Sequence, residues 1–366
     1  MAKPHPHSGV LKIQAYKAGD SSIEGFDDVI KLASNESPFG PSPKVKEVIR
    51  HHLESLELYP DGGSGDLKKA LSMAEGINSE NILCSSGSEQ ILTLLAQAYA
   101  GPGDEVIQSE YGFLVYPIAT RAVGADLKVA KEIDYKTDVD AILGQQSDKT
   151  KLVYLANPNN PTGTVIPASE LQRLRDVLRE DILLVLDVAY AEYVTDPDYT
   201  NAHEMVEASI ASGAENIVVV HTFSKIYGLA GLRLGWCYGP PSVIDSLNRI
   251  KGAFNVTTLT QLAGIAALED KSHIKMSKDH NTKCLPIMTE ALEAMGLKVS
   301  PSQGNFVLAH FGGADEASKA DAYLRKNGII VRPVGGYGLG GCLRITIGSD
   351  HQNYTLLEKL KAFRNS

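Results

Sequence analysis

Between residues 82 and 238, short apolar runs alternate with helix-length segments, and this rhythm limits the fold more than any other feature of the chain. The runs Ile82–Cys84, Glu105–Gln108, Leu127–Ile133, Lys151–Ala156, Ile182–Val188, Ile217–Thr222 and Leu232–Tyr238 read as strands. Runs this apolar, with helices between them, predict an α/β fold: a mostly parallel sheet covered by helices.

The flanks read differently. Residues 1–35 form a polar arm with little periodicity. Ser42-Pro43 opens a helix that is expected to run to about Leu58, with Ser as cap and Pro at the first helical position. A second helix starts near Ser64. Beyond about Lys251 long helices fill Thr257 to Met295, followed by short strands at 298–300, 305–309, 329–332 and 343–347 and a last helix from Asn353. The expected organisation is an arm (1–35), a large domain (36–253) and a smaller C-terminal α+β domain (254–366). A length of 366 residues suits two domains with ample core.

Composition excludes several classes. The net charge of −9 and the lack of a basic run argue against nucleic-acid binding. No apolar stretch reaches the ~18 residues that span a bilayer, and the first ten residues do not read as a signal peptide. The expectation is a cytoplasmic protein. Cys84, Cys237, Cys284 and Cys342 are widely spaced and form no C-x-x-C, as for reduced, buried thiols. His5-Pro6-His7 reads as a disordered start, and no metal site is expected.

In open α/β sheets ligands bind beyond the carboxyl ends of the strands, so the residues there are the candidates. Ser85-Ser86-Gly87-Ser88-Glu89 turns into a helix N-terminus, where free N–H groups favour phosphate; a plain N-cap is the alternative. Tyr111 can stack on a flat ring or simply pack. Asn157-Pro158-Asn159-Asn160-Pro161-Thr162-Gly163 is turn chemistry that presents an amide. Asp187 ends an apolar run, where a carboxylate needs a partner, either a protonated ring nitrogen or a structural donor. Ser224-Lys225 follows the next run, with Arg233 eight residues on. Lys225 is either a surface lysine or a Schiff-base lysine, with Ser224 and Arg233 holding a phosphate. Gly336–Gly341 is no dinucleotide fingerprint, because it precedes a strand instead of following one.

Taken together, Asn160-Pro161-Thr162-Gly163, Asp187-x-x-Tyr190 and Ser224-Lys225 through Arg233 resemble the fold type I pyridoxal-phosphate aminotransferases. Leu32 to Gly40, Tyr59-Pro60-Asp61, Val331-Arg332-Pro333 and Leu343 to Gly348 are similar to the histidinol-phosphate aminotransferase branch of that family. The resemblance implies pyridoxal 5′-phosphate carried on Lys225. It implies Asp187 at the ring nitrogen, Asn160 and Tyr190 at the ring oxygen, and Tyr111 stacked on the ring. Ser88, Glu89, Thr222, Ser224 and Arg233 would hold the phosphate, and Tyr59 would reach the cofactor of a neighbouring subunit in a homodimer. Arg344 would bind the α-carboxylate of glutamate, Arg332 the substrate phosphate, and Asn35 and Tyr16 would lie on the substrate side. The implied reaction converts histidinol phosphate and 2-oxoglutarate to imidazole acetol phosphate and glutamate. Aromatic amino-acid transamination, and a lyase similar to threonine-phosphate decarboxylase, are the alternatives. Gly87-Ser88-Glu89-Gln90 departs from the frequent Gly-Ser-Asp-Glu of this family.

Overall fold

The computed structural model describes residues 3–15 and 19–365. Its strands, in chain order, begin with β1 (Ile30–Lys31), β2 (Ile82–Ser85), β3 (Glu105–Ser109), β4 (Asp126–Ala130), β5 (Glu132–Ile133) and β6 (Lys136–Thr137). There follow β7 (Thr150–Ala156), β8 (Leu183–Asp187), β9 (Ile217–Thr222) and β10 (Gly235–Tyr238). The C-terminal part adds β11 (Lys298–Ser300), β12 (Phe306–His310), β13 (Ile329–Ile330), β14 (Arg332–Val334) and β15 (Leu339–Thr346).

Seven strands make the main sheet in the order β2-β10-β9-β8-β7-β3-β4. β10 runs antiparallel to both neighbours, and every other pairing is parallel. β7, β8 and β9 are buried almost throughout, and each face of the sheet packs into its own apolar cluster beneath the helices. This is why their sequences are continuously apolar instead of alternating. Leu232–Leu234, expected in the last strand, lie outside it. Ala230–Leu232 form a 3₁₀ turn and Arg233 takes φ +52°, so pairing starts only at Gly235.

The helix opened by Ser42 spans only Pro43–His51, and a separate 3₁₀ turn follows at Leu53–Ser55. At the next helix, Gly65–Glu75, Ser64 adopts φ +52° and makes no side-chain cap. Asp61 caps it instead, accepting from the N–H groups of Gly63 and Gly65 at 2.9 and 2.6 Å.

A second, antiparallel sheet, β11-β12-β15-β14, carries the C-terminal core. That core takes in Leu32, and β1 pairs in parallel with β13, so the arm is stitched to the far end of the chain. Helix Thr258–Glu269 lies past the expected boundary at 254, yet its buried face (Ala263, Ala266, Ala267, Leu268) belongs to the large-domain cluster. Asp270 caps the following helix, Lys271–Ala294, whose Ile274 still packs on the large-domain cluster and whose Cys284, Met288 and Leu292 belong to the C-terminal core. Near the N-terminus a single helical turn, Ser8–Leu11, packs on helix Val115–Ala122.

Candidate active site

The carboxyl ends of β2, β7, β8 and β9, the start of the helix after β2, and the arm enclose a cavity of about 260 Å³. Its wall contains twelve of the residues singled out above: Asn35, Ser88, Glu89, Asn160, Asp187, Tyr190, Thr222, Ser224, Lys225, Arg233, Arg332 and Arg344. Parallel pairing brings them together. Strands running in the same direction end on one side, whatever the chain distance between them.

Gly87 caps helix Ser88–Tyr99 with no side-chain hydrogen bond, and Ser88 and Glu89 open it on the cavity wall. Free N–H groups at such an end suit an anion. Two glycines keep the approach clear. A Cβ on Gly87, at φ +83°, would stand 2.6 Å from Arg233 Nη2, and one on Gly235 would stand 2.2 Å from the Ser88 nitrogen. Arg233 Nη1 donates to Ser224 Oγ at 3.4 Å, and Thr222 Oγ1 donates to the same oxygen at 3.0 Å. Helix end, hydroxyls and guanidinium converge on one corner, which is the donor set that a phosphate dianion needs.

Asp187 ends β8, fully enclosed. It accepts from Tyr116 OH at 3.0 Å and from the Ala189 N–H at 3.3 Å, and among the described residues it forms no salt bridge. Burial pushes its carboxyl up to about 6, against the pull of Tyr116, the Ala189 N–H and Lys225. A buried acid of this kind lacks a cation, and a protonated ring nitrogen would supply one.

Lys225 is half-buried. Desolvation, with Arg344 and Arg233 nearby, lowers its amine to about 8 despite Glu36 and Asp187. Its Nζ donates to the Ser34 carbonyl at 3.1 Å and lies 5.7 Å from the centre of the Tyr190 ring. The Tyr190 hydroxyl accepts from Asn35 Nδ2 at 2.8 Å.

Arg344 projects from β15. Its Nη1 donates to Asn160 Oδ1 and its Nη2 to the Ala33 carbonyl, while Nε is buried with no partner among the described residues. An orphaned N–H on a buried guanidinium is costly, and a bidentate carboxylate would satisfy it. The pocket therefore fits pyridoxal phosphate at one end and an amino acid at the other.

Two of the expected positions fall elsewhere. Tyr111 is off the wall. Its ring tilts against Tyr135 at 5.7 Å, and Phe113, two residues on, is the aromatic side chain of this loop that faces the cavity. Tyr59 is 82% exposed, stacks on Phe254 at 4.7 Å and does not line its own cavity. Tyr16 lies outside the described residues. Sequence reasoning missed Phe113, Tyr337, Glu36 and the Tyr116 hydroxyl. Phe113 and Glu36 sit beside residues that it did select; nothing in the sequence marks Tyr116.

Comparison with known proteins gives the family. Residues 27–360 match the family model for aminotransferase class I and II. The chain is 47% identical over 365 residues to a histidinol-phosphate aminotransferase of Paramagnetospirillum magneticum, with 99% of each covered. It is 46% identical to the same enzyme of Maricaulis maris, with 98% of each covered. Among solved structures, the Sinorhizobium meliloti histidinol-phosphate aminotransferase in complex with pyridoxal-5′-phosphate superposes with a TM-score of 0.86 at 29% identity, covering 92% of both chains. The chain belongs to the class I and II aminotransferases, in the histidinol-phosphate aminotransferase branch of that family.

Proposed function

We propose that this protein moves an amino group between histidinol phosphate and 2-oxoglutarate, using pyridoxal 5′-phosphate. The observation that carries this reading is one cavity holding a half-buried lysine, a buried carboxylate and two separate arginine-centred anion sites. One anion site is the Ser88, Ser224 and Arg233 corner; the other is Arg344 with Arg332 on the same wall.

Bound there, the cofactor supplies a protonated ring that draws electrons from the carbon losing its proton. Lys225 would carry it. The Lys225 Nζ would take the proton from substrate Cα, and an amine near 8 is well placed to accept and return it at neutral pH. Asp187 would hold the ring nitrogen in its charged form. Tyr190 and Asn160 border the same space and are assigned to the ring oxygen. Phe113, in place of Tyr111, is assigned to the ring face. Arg344 receives the α-carboxylate. That exchange releases Asn160 and the Ala33 carbonyl, so binding alters the arm as well as the arginine.

Arg344→Ala is expected to raise KM for glutamate about a hundredfold. That is the scale of a charged hydrogen bond worth ~1.5–3 kcal/mol with its geometry lost. The melting temperature should move little, because the removed charge was incompletely paired. Steady-state kinetics with a thermal melt checks both, and an unchanged KM would refute the assignment.

The overall reading is tested by turnover on a substrate panel. Histidinol phosphate should exceed phenylalanine in kcat/KM. A large excess for phenylalanine would favour the aromatic transaminase, and carbon dioxide from phosphothreonine the lyase.

The same proposal makes the enzyme a homodimer. Leu53, Leu56, Leu58 and Tyr59 form an exposed apolar stretch, and a Tyr59 that points away from its own cavity is free to serve a neighbour's. A monomeric holoenzyme in light scattering would overturn this. A cytoplasmic setting is supported by four free, buried thiols; recovery in a membrane or secreted fraction would contradict it. Among the described residues no helix is long and apolar enough to cross a membrane.

A further inference from the structure

On the C-terminal body, away from the cavity wall, His280, Cys284 and Asp350 turn one ligand atom each toward a common point. His280 and Cys284 are four residues apart on helix Lys271–Ala294 and so share a face. Asp350 is the first residue of helix Asp350–Arg364, held in place by a capping box between Ser349 and Gln352. Cys284 Sγ lies 3.4 Å from Asp350 Oδ1 and 3.8 Å from His280 Nδ1, and the third edge, His280 Nδ1 to Asp350 Oδ1, is 4.0 Å.

We propose that this triangle is a divalent-cation site, selective for zinc. Zinc bonds of ~2.3 Å to sulfur and ~2.0–2.1 Å to nitrogen and oxygen place tetrahedral ligands about 3.3–3.6 Å apart. The Cys284–Asp350 edge already matches, the Cys284–His280 edge must close by roughly 0.2 Å and the His280–Asp350 edge by roughly 0.6–0.7 Å. The ligand set, one thiolate, one imidazole and one carboxylate, favours zinc over magnesium or calcium.

The surroundings agree. His280 Nε2 sits 2.8 Å from the Gly348 carbonyl. In the neutral ring that contact fixes the proton on Nε2 and leaves the Nδ1 lone pair aimed at the cluster, the usual arrangement behind a metal-bound histidine. Phe39 packs edge-on against the ring at 4.9 Å and holds its plane. Lys283 pairs with the other Asp350 oxygen, Oδ2, at 3.4 Å, so Oδ1 stays turned inward.

Burial, and then the Asp350 carboxylate, push the Cys284 thiol up to about 11. A bound dication neutralises that same field, and the thiol proton leaves to solvent as the sulfur–metal bond forms. Three protein ligands leave one position for water, reached from the exposed side of Asp350. The ion would clamp the two helices across the C-terminal core.

The test is zinc titration of the chelator-treated holoenzyme against a chromophoric chelator. Asp350→Asn and Cys284→Ser are each expected to weaken the tightest site at least tenfold, a loss that even outer-shell partners of a metal can produce. Neither variant touches His5 or His7, so background binding at the N-terminus cancels in the comparison. With Co²⁺ in place of zinc, the wild type should show the intense red-region bands of a tetrahedral thiolate site, where the cofactor does not absorb. If Cys284→Ser fails to fold, Asp350→Asn alone decides, since that side chain is 69% exposed. Equal zinc affinity in wild type and Asp350→Asn, or a weak octahedral cobalt spectrum, would mean that the three groups only share hydrogen bonds and would overturn the proposal.

Discussion

Lys225→Ala is expected to lower kcat by about 10³-fold or more and to remove the visible absorbance of covalently held cofactor. General acid–base transfer alone is worth ~10²–10⁴-fold, and this side chain also anchors the cofactor. The fold should survive, because the phosphate corner and Asp187 do not depend on the amine. Among the described residues Lys225 makes one hydrogen bond, to the Ser34 carbonyl.

A related expectation concerns pH. Capture of the cofactor by the apoprotein needs the neutral amine. With the amine lowered to about 8, the capture rate should climb roughly tenfold per unit below that pH and level off above it. An ordinary lysine would still be climbing at pH 10. Rapid mixing of apoprotein and cofactor across pH 6 to 10 measures this directly. A rate still rising at pH 10, or an alanine variant with an unaltered spectrum, would remove Lys225 from its role.

The second large effect is at Asp187. Asp187→Asn keeps the size of the side chain and an acceptor for Tyr116, but removes the charge. Turnover should fall about 10²–10³-fold, the usual cost of losing one preorganised electrostatic group.

Stability of the apoprotein should move the other way. The carboxyl of Asp187 is raised from 3.8 to about 6 in the folded chain, so the native state binds the extra proton between those pH values. Stability therefore falls as pH rises through that window, and above it the ionised form carries a burden of up to about 3 kcal/mol. The asparagine variant is free of it. At pH 7.5 the apo variant should melt at or above the wild type, and below pH 4 the difference should vanish. A variant that loses both activity and apo stability at pH 7.5 would mark Asp187 as structural.

The strand-end residues were legible because their positions follow from one rule. Ser88, Asp187, Ser224 and Lys225 each come just after an apolar run, and parallel strands gather such residues on one side. The joints between distant parts of the chain were not legible. Arg344 meets Asn160 across 184 residues, and Asn35 meets Tyr190 across 155. No local pattern encodes those meetings, so Arg344 and Asn35 came only from likeness to a family.

The Tyr111-Gly112-Phe113 loop shows a finer limit. It offers two aromatic rings two residues apart, and only the packing of Tyr111 against Tyr135 decides which one turns inward. Helix Thr258–Glu269, assigned to the C-terminal domain on sequence, shows a similar limit. Its apolar face was visible, but the partner was not, and that partner proved to be the pair of helices Pro43–His51 and Gly65–Glu75.

The pairing of β1 with β13 bears on how relatives of this enzyme can be recombined. Residues 30–35 are translated early, yet they lean on the last hundred residues: Leu32 fills their core, and the carbonyls of Ala33 and Asn35 are grasped by Arg344 and Asn305. A hybrid gene with a single crossover near residue 270 would therefore mismatch that seam. Two crossovers, which let the early segment travel with the late one, would preserve it.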